Sequence, residues 1–407
     1  MYEATAAPTP AILASAVPRY NDLLYCTFMK NDISKKSLAL HKKLGGKIRI
    51  VSAMPVRNRA DLALIYTPGV AAVSSFVAKN PKLAREYTMK GRLVAVISDG
   101  SAVLGLGNIG PLGALPVMEG KAALFKTFAD VDAVPIVLST QDTTEIVNTI
   151  IRIAPTFGGI NLEDISAPRC FEIERRLVDA LDIPVMHDDQ HGTAIVVLAG
   201  LINAFKVTGK KIEKTKIVIS GAGAAGSAIA KLLKLAGAGD ITVLDSKGII
   251  GPWRTDLTPH KKELAMMTRS HRAHGGLTDA LVGADVLIGV SGPDLAKAAD
   301  IKRMAPKAIV FALANPTPEI LPDEAIKGGA VVVATGRSDF PNQINNALAF
   351  PGIFRGALDH RVTKITDQMK LKAAKAIAGL VKKPTATKII PDMFDKRVPI
   401  AVAKIIR

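Results

Sequence analysis

Residues 216–245 constrain this chain more than any other stretch. Lys216-Ile-Val-Ile-Ser220 is a short apolar run, and Gly221-Ala-Gly223-Ala-Ala-Gly226 follows at once. Residues 224–235 are rich in Ala and Leu, and Ile241-Thr-Val-Leu244 is a second apolar run. Strand, glycine turn, helix, strand predicts a βαβ unit, and with it a parallel sheet. In such a unit Gly221 permits the tight turn, Gly223 lets the backbone approach a pyrophosphate, and Gly226 lets the helix pack on the strand. The loop Gly221, Ala222, Gly223, Ala224, Ala225 and Gly226 therefore reads as a dinucleotide phosphate cradle. Asp245 ends the next strand, 19 residues after Gly226, where an acid binds the ribose hydroxyls of NAD. Ser246 and Lys247 come next and offer a seat for a 2′-phosphate, so NAD is favoured with NADP open.

The same alternation runs upstream. Leu93-Val-Ala-Val-Ile-Ser98, Ala133-Val-Pro-Ile-Val-Leu138 and Ile183-Pro-Val-Met186 read as buried strands, and residues 117–128, 145–153 and 194–207 as helices. Further strands are expected at 284–289, 308–313 and 330–334. A second glycine pattern, Gly105-Leu-Gly107-Asn-Ile-Gly110, is followed by Pro111, Gly113 and Pro116. No helix is expected to begin there, and the pattern reads as a tight loop near the active site. The fold class is α/β: an N-terminal α/β substrate domain and a Rossmann-type parallel-sheet domain. The divisions expected are an N-terminal arm (1–30), a substrate and metal domain (31–190), a dinucleotide domain (191–355) and a basic helical segment (356–407).

Composition narrows the partners. A chain of 407 residues, 48% hydrophobic, buries a large core without disulfides. Two cysteines, Cys26 and Cys170, cannot build a disulfide framework and suggest a reducing, cytoplasmic setting. No run of eighteen uninterrupted apolar residues predicts a membrane span. The net charge of +17 gathers at the ends, with +7 in residues 1–60 and +8 in residues 356–407. Aromatics are only 4% and do not interleave with Lys and Arg, so nucleic-acid stacking has little support.

Two carboxylate pairs follow apolar segments: Glu163-Asp164 and Asp188-Asp189. The carboxyl ends of strands are where α/β folds bind ligands. Clustered carboxylates repel unless a cation neutralises them, and hard oxygen ligands suit Mg²⁺ or Mn²⁺. Taken singly, each pair also fits a solvated loop. His187 and His191 flank the second pair, where histidines are more often structural than ligating. Lys121 falls on the apolar stripe of Val117, Leu124, Phe125 and Phe128. Burial would lower its pKa and make it a general base near neutral pH, while a snorkelling lysine is the other reading.

Together these segments resemble malic enzyme of the small bacterial type. The resemblance is carried by Ile65-Tyr-Thr-Pro-Gly-Val-Ala71, Asp99-Gly-Ser-Ala-Val-Leu-Gly-Leu-Gly-Asn108 and Pro116-Val-Met-Glu-Gly-Lys121. It continues through Pro155-Thr-Phe-Gly-Gly-Ile-Asn-Leu-Glu-Asp164, His187-Asp-Asp-Gln-His-Gly-Thr193 and Ser220-Gly-Ala-Gly-Ala-Ala-Gly226. It ends with Ala314-Asn-Pro316, Thr335-Gly-Arg-Ser-Asp339 and Pro341-Asn-Gln-Ile-Asn-Asn346. The resemblance implies oxidative decarboxylation of L-malate to pyruvate and CO₂ with reduction of NAD(P)⁺. It puts the tyrosine acid on Tyr66, the lysine base on Lys121, and the metal carboxylates on Glu163, Asp164 and Asp189, with Asp188 beside them as a catalytic neighbour. Asn315 matches a cofactor or substrate asparagine, and Asn345 and Asn346 fall at the substrate. A homodimer or larger assembly is implied. Asp99-Gly-Ser-Ala102 has alanine where the large eukaryotic branch has an arginine for a substrate carboxylate. Which group replaces that arginine stays open.

Three rival functions remain: a metal-independent lysine-based dehydrogenase of another substrate, malolactic chemistry giving lactate, and a basic nucleic-acid-binding protein.

Overall fold

The computed structural model describes residues 32–103, 105–268 and 274–407. The expected N-terminal arm, Cys26 and Leu104 lie outside the described residues. The chain divides into two compact units, residues 1–47 and 48–407. In the first, the helix Asp32–Leu44 carries His41, Lys42 and Lys43 in its last turn, where cations complement the helix dipole.

The second unit is built on two sheets. Its chain begins with the short helices α1 (Arg59–Ile65) and α2 (Val70–Lys79), neither of which buries a residue. The first sheet contains β1 (Leu93–Ser98), β2 (Asp132–Val137), β3 (Gly159–Leu162) and β4 (Val185–His187), in the order β2-β1-β3-β4. All its pairings are parallel. Every residue of β1 is buried, as expected for a parallel strand covered on both faces. Between these strands run α3 (Gly110–Ala129), α4 (Thr143–Ile153) and α5 (Arg169–Ala180).

The long helix α6 (Asp188–Thr208) leaves β4 without a loop and leads towards the second sheet. It is long and apolar enough to cross a membrane, but most of it is buried within the fold, as in a core helix. The second sheet contains β5 (Lys216–Ser220), β6 (Asp240–Asp245), β7 (Gly248–Ile249), β8 (Val286–Gly289), β9 (Ala308–Ala312) and β10 (Ala330–Thr335). Its order is β10-β9-β8-β5-β6-β7. Only β7 is antiparallel, at the edge. The order reverses at β5, and in the first sheet at β1. Ligands bind in the crevice outside such switch points. Helix α7 (Ala224–Leu235) follows β5 and packs on α6.

The chain then returns to the first sheet. Helix α8 (Phe350–Asp359) packs on α3, with the Phe125 ring 4.6 Å from Phe350 and 5.4 Å from Phe354. Helices α9 (Asp367–Gly379) and α10 (Arg397–Ile405) complete the end of the chain. Asn203 of α6 donates at 2.9 Å to the carbonyls of Ala378 and Ile389. That pairing satisfies a fully buried amide and fixes the returning segment.

Two sequence expectations are corrected. A helix does begin at Gly110, although Pro111 and Pro116 follow. Pro111 is accommodated at the first helical positions because its missing N–H would be unpaired there in any case, and Pro116 is carried inside the helix. Residues 105–107 do form a tight loop, with Gly105 and Gly107 at φ +74°. The buried face of α3 is also rotated from the one read. It comprises Ala114, Met118, Lys121, Ala122 and Phe125, and Val117 is 41% exposed.

Candidate active site

The carboxyl ends of β1, β3 and β4 gather the acidic groups. Asp99 follows β1, Glu163 and Asp164 follow β3, and Asp188 and Asp189 open α6 directly after β4. Oxygens of Glu163, Asp164 and Asp189 lie within 4.8 Å of one another. Asp164 sits at φ +53°, and its backbone N–H donates to Asp189 Oδ2 at 2.8 Å. Asn161 Nδ2 donates to Glu163 Oε2 at 2.9 Å. Asp164 Oδ2 and Asp188 Oδ1 are buried without a partner among the described residues.

Lys121 enters this cluster from α3. Its Nζ lies 2.7 Å from Glu163 Oε1 and 2.7 Å from Asp188 Oδ2, above the Phe350 ring at 4.3 Å from its centre. The side chain is 8% exposed, so it does not snorkel. Burial by itself pushes the Lys121 ammonium down, but the Asp188 and Glu163 carboxylates outweigh it and the net direction is up. The expectation of a lowered pKa is therefore corrected: burial came with counter-charges that the helical stripe did not reveal. The carboxylates also move up. Burial, followed by repulsion from Asp189, raises Asp164 to about 8. Burial raises Glu163 and Asp188 despite Lys121. Four carboxylates share one lysine, which leaves the cluster short of positive charge. Unpaired buried oxygens, hard donors and unbalanced negative charge all fit a divalent cation held by Glu163, Asp164 and Asp189.

Tyr66 lies at the end of α1, 64% exposed, with no side-chain partner among the described residues. Arg169 was not singled out from the sequence. Its Nη1 donates to Asp99 Oδ2 at 2.8 Å and Gln141 O at 2.6 Å, and its Nη2 to Ser101 Oγ at 2.8 Å and Ser166 Oγ at 3.1 Å. With all four Nη protons engaged, it braces the loop containing Ala102 and is not free to replace the missing arginine.

At the second sheet, the glycine turn has the shape its sequence requires. Gly221 has φ +120°, and a Cβ there would lie 2.7 Å from Val290 O. A Cβ on Gly226 would lie 1.8 Å from Gly221 O, whereas Gly223 faces open space. Gly223 stands at the N-terminus of α7 without a side-chain cap. Ala222 is buried, and Ala224 and Ala225 are half-buried in the first turn. Free N–H groups at an open helix end suit a pyrophosphate.

Asp245 departs from expectation. It accepts from Arg254 Nη1 at 2.7 Å and Nη2 at 3.2 Å, from Lys261 Nζ at 2.5 Å and from Lys247 N at 2.9 Å. A carboxylate offers about four lone-pair sites, and in this structure these four donors occupy them. Arg254 and Lys261 lie 9 and 16 residues beyond Asp245, outside the motif read. Ser246 and Lys247 are exposed beside them.

Asn315 follows β9, half-buried, with Nδ2 donating to Leu313 O at 3.4 Å. A Cβ on Gly105 would lie 2.6 Å from Asn315 O, so the 105–107 loop touches the second sheet's end. Asn345 Oδ1 accepts from Ala347 N at 2.9 Å. Asn346 lies against the first turn of α6, its Cβ 3.1 Å from where a Gly192 Cβ would be.

A dinucleotide turn at one sheet and a lysine–carboxylate cluster at the other define an oxidoreductase that works with a pyridine nucleotide. Residues 45–178 match the malic enzyme N-terminal domain, and residues 190–405 the malic enzyme NAD-binding domain. The chain belongs to the malic enzyme family. It is 55% identical over 369 residues to the NAD-dependent malic enzyme of Geobacillus stearothermophilus, covering 90% of this chain and 77% of that one. It is 54% identical over 375 residues to the bifunctional malic/malolactic enzyme of Bacillus subtilis, covering 91% and 92%. The crystal structure of NAD-dependent malic enzyme from Thermotoga maritima superposes with a TM-score of 0.88 at 50% identity, covering 91% of this chain and 98% of that one.

Proposed function

We propose that this chain oxidatively decarboxylates L-malate to pyruvate and CO₂ with reduction of NAD(P)⁺, in a divalent-metal-dependent reaction. The observation that carries it is Lys121 Nζ held between Glu163 and Asp188, beside the three clustered carboxylates. Bound to Glu163, Asp164 and Asp189, Mg²⁺ or Mn²⁺ would polarise substrate oxygens as a Lewis acid and draw carboxylate charge from Lys121. At the glycine turn, NAD(P)⁺ would accept the hydride. Lys121 and Asp188 form a proton pair at 2.7 Å. Asp188, whose carboxyl is pushed up by burial, takes the lysine's proton and frees Nζ to receive the one from the substrate hydroxyl. Tyr66 returns a proton to carbon. Asn315, Asn345 and Asn346 orient the substrate between the sheets.

Tyr66 is far more exposed than a reacting group should be. The helices around it also expose Leu62, Leu64, Ile65, Val73 and Phe76. An apolar surface of this kind marks an interaction site, and the reading is a second copy of the chain, giving a homodimer or larger assembly. The break at Thr67-Pro68-Gly69 leaves α1 and α2 with 7 and 10 residues, each too short to span a bilayer alone, which suits a protein interface better. Asp256 also pairs with Lys247 and Arg254, which leaves Lys261 as the cation read for a 2′-phosphate, and on that lysine NADP⁺ is favoured over NAD⁺. The working division remains 31–190 for substrate and metal, 191–355 for the dinucleotide and 356–407 for the returning helices, in a cytoplasmic enzyme.

The test is NAD(P)H formation at 340 nm with L-malate, both cofactors, with and without Mn²⁺, and with pyruvate measured in parallel. Metal-dependent reduction with matching pyruvate is expected. Lactate without net NADH would indicate malolactic chemistry, which the Bacillus subtilis relative's name includes. No turnover to either product in folded protein refutes malate as substrate.

A further inference from the structure

His187 ends β4, and the metal cluster does not include it. Its side chain is fully buried, and both ring nitrogens lack a hydrogen-bond partner among the described residues. An imidazole buried without a partner is costly, and an apolar side chain would fill the same space without that cost. The ring's Nε2 faces Asp189 Oδ2 at 3.6 Å. That oxygen already accepts from Asp164 N at 2.8 Å. A closing movement of roughly 0.6 Å would bring Nε2 within hydrogen-bond range of it.

The backbone of His187 is pinned from the other side. Its N–H donates to Glu174 Oε1 at 2.7 Å. Glu174 Oε2 is held by Gln190 Nε2 at 3.1 Å and faces His191 Nε2 at 2.9 Å. The first turn of α6 is therefore fixed from beneath, with the His187 ring turned to the acid that follows two residues on.

We propose that His187 is a positioning residue for the cation site. Its Nε2–H holds Asp189 Oδ2 in place, so that Asp189 presents its other oxygen to the ion. This rests on the cation-site reading above. Ligating groups are commonly oriented by a hydrogen-bond partner behind them, and loss of that partner weakens metal binding.

The experiment measures Mn²⁺ affinity of the full chain without substrate, by titration calorimetry and by the resonance signal of free Mn²⁺. The variants are His187→Leu, which removes the donor, His187→Asn, whose amide reaches only the Nδ1 position, and His187→Gln, whose amide reaches the Nε2 position. His187→Leu and His187→Asn should raise the Mn²⁺ Kd by roughly 10–100-fold, and His187→Gln by no more than about threefold. A merely structural histidine would change thermal unfolding without this order among the variants. If His187→Leu does not fold, His187→Asn against His187→Gln decides. Wild-type affinity in both His187→Leu and His187→Asn overturns the positioning role alone. Failure of the wild type to bind Mn²⁺ at millimolar concentration overturns the cation site, and this role with it.

Discussion

Asp164→Asn tests the self-repulsion of the carboxylate cluster directly. The change is nearly isosteric, and asparagine tolerates the φ of +53° at this position. In the cation-free protein, burial and Asp189 raise the Asp164 carboxyl from 3.8 to about 8. The folded state therefore binds more protons here than the unfolded state across that interval, and stability must fall as pH rises through it. Taking those two values, the penalty is about 1 kcal/mol at pH 4.5 and about 5 kcal/mol at pH 8. Neighbouring carboxylates share the proton, so about half of that difference is expected to be recovered by the variant. Urea unfolding in EDTA should show Asp164→Asn and wild type close together at pH 4.5. At pH 8 the variant should be more stable by about 2–3 kcal/mol. Added Mn²⁺ should reverse the order, because ligand binding stabilises the wild type by mass action and the variant has lost a charged ligand. Equal pH dependence of the two proteins in EDTA would refute the argument, since Asp164 would then not be carrying unfavourable buried charge.

Lys121→Met and Tyr66→Phe should each lower kcat by about 10²–10⁴, and a loss below tenfold in steady-state assays would remove that residue from the chemistry. Gly226→Ala forces a Cβ to within 1.8 Å of Gly221 O; fluorescence titration should show NAD(P)H binding weakened at least tenfold, or the protein should melt earlier. Lys261→Ala should lower kcat/KM for NADP⁺ by roughly 10-fold or more and leave NAD⁺ within about threefold, because in the proposed reading the lysine serves the 2′-phosphate; equal losses with both cofactors would count against the NADP⁺ preference. Leu64→Lys, which puts charge on the exposed face of α1, should shift a dimer towards monomer in light scattering after size exclusion; an unchanged mass would leave that face without its assigned role.

The patterns that were legible in the sequence are short-range. The boundaries of β1, β5 and α7 match the reading because a parallel strand buried on both faces is a plain apolar run, and the glycine turn fixes where the helix begins. The acidic pairs were recognisable because they directly follow such runs. The helix at Gly110 was missed because proline was read as a breaker, although its effect depends on its position in the helix. Arg169, Glu174, Arg254 and Lys261 carried no local signal, since each meets its partner across a turn or another element.

The sequence by itself determined the two mostly parallel sheets, the phosphate turn and the identity of the charged groups. Those follow from periodicity, from backbone freedom at Gly221 and Gly226, and from residue type. Only the tertiary structure decided the state of those groups. It set Lys121 between two carboxylates rather than in a purely apolar pocket, filled the lone pairs of Asp245 with distant cations, and left the His187 ring facing Asp189. Charge state and hydrogen-bond capacity are properties of what surrounds a group, and those surroundings are assembled from residues far apart in the chain.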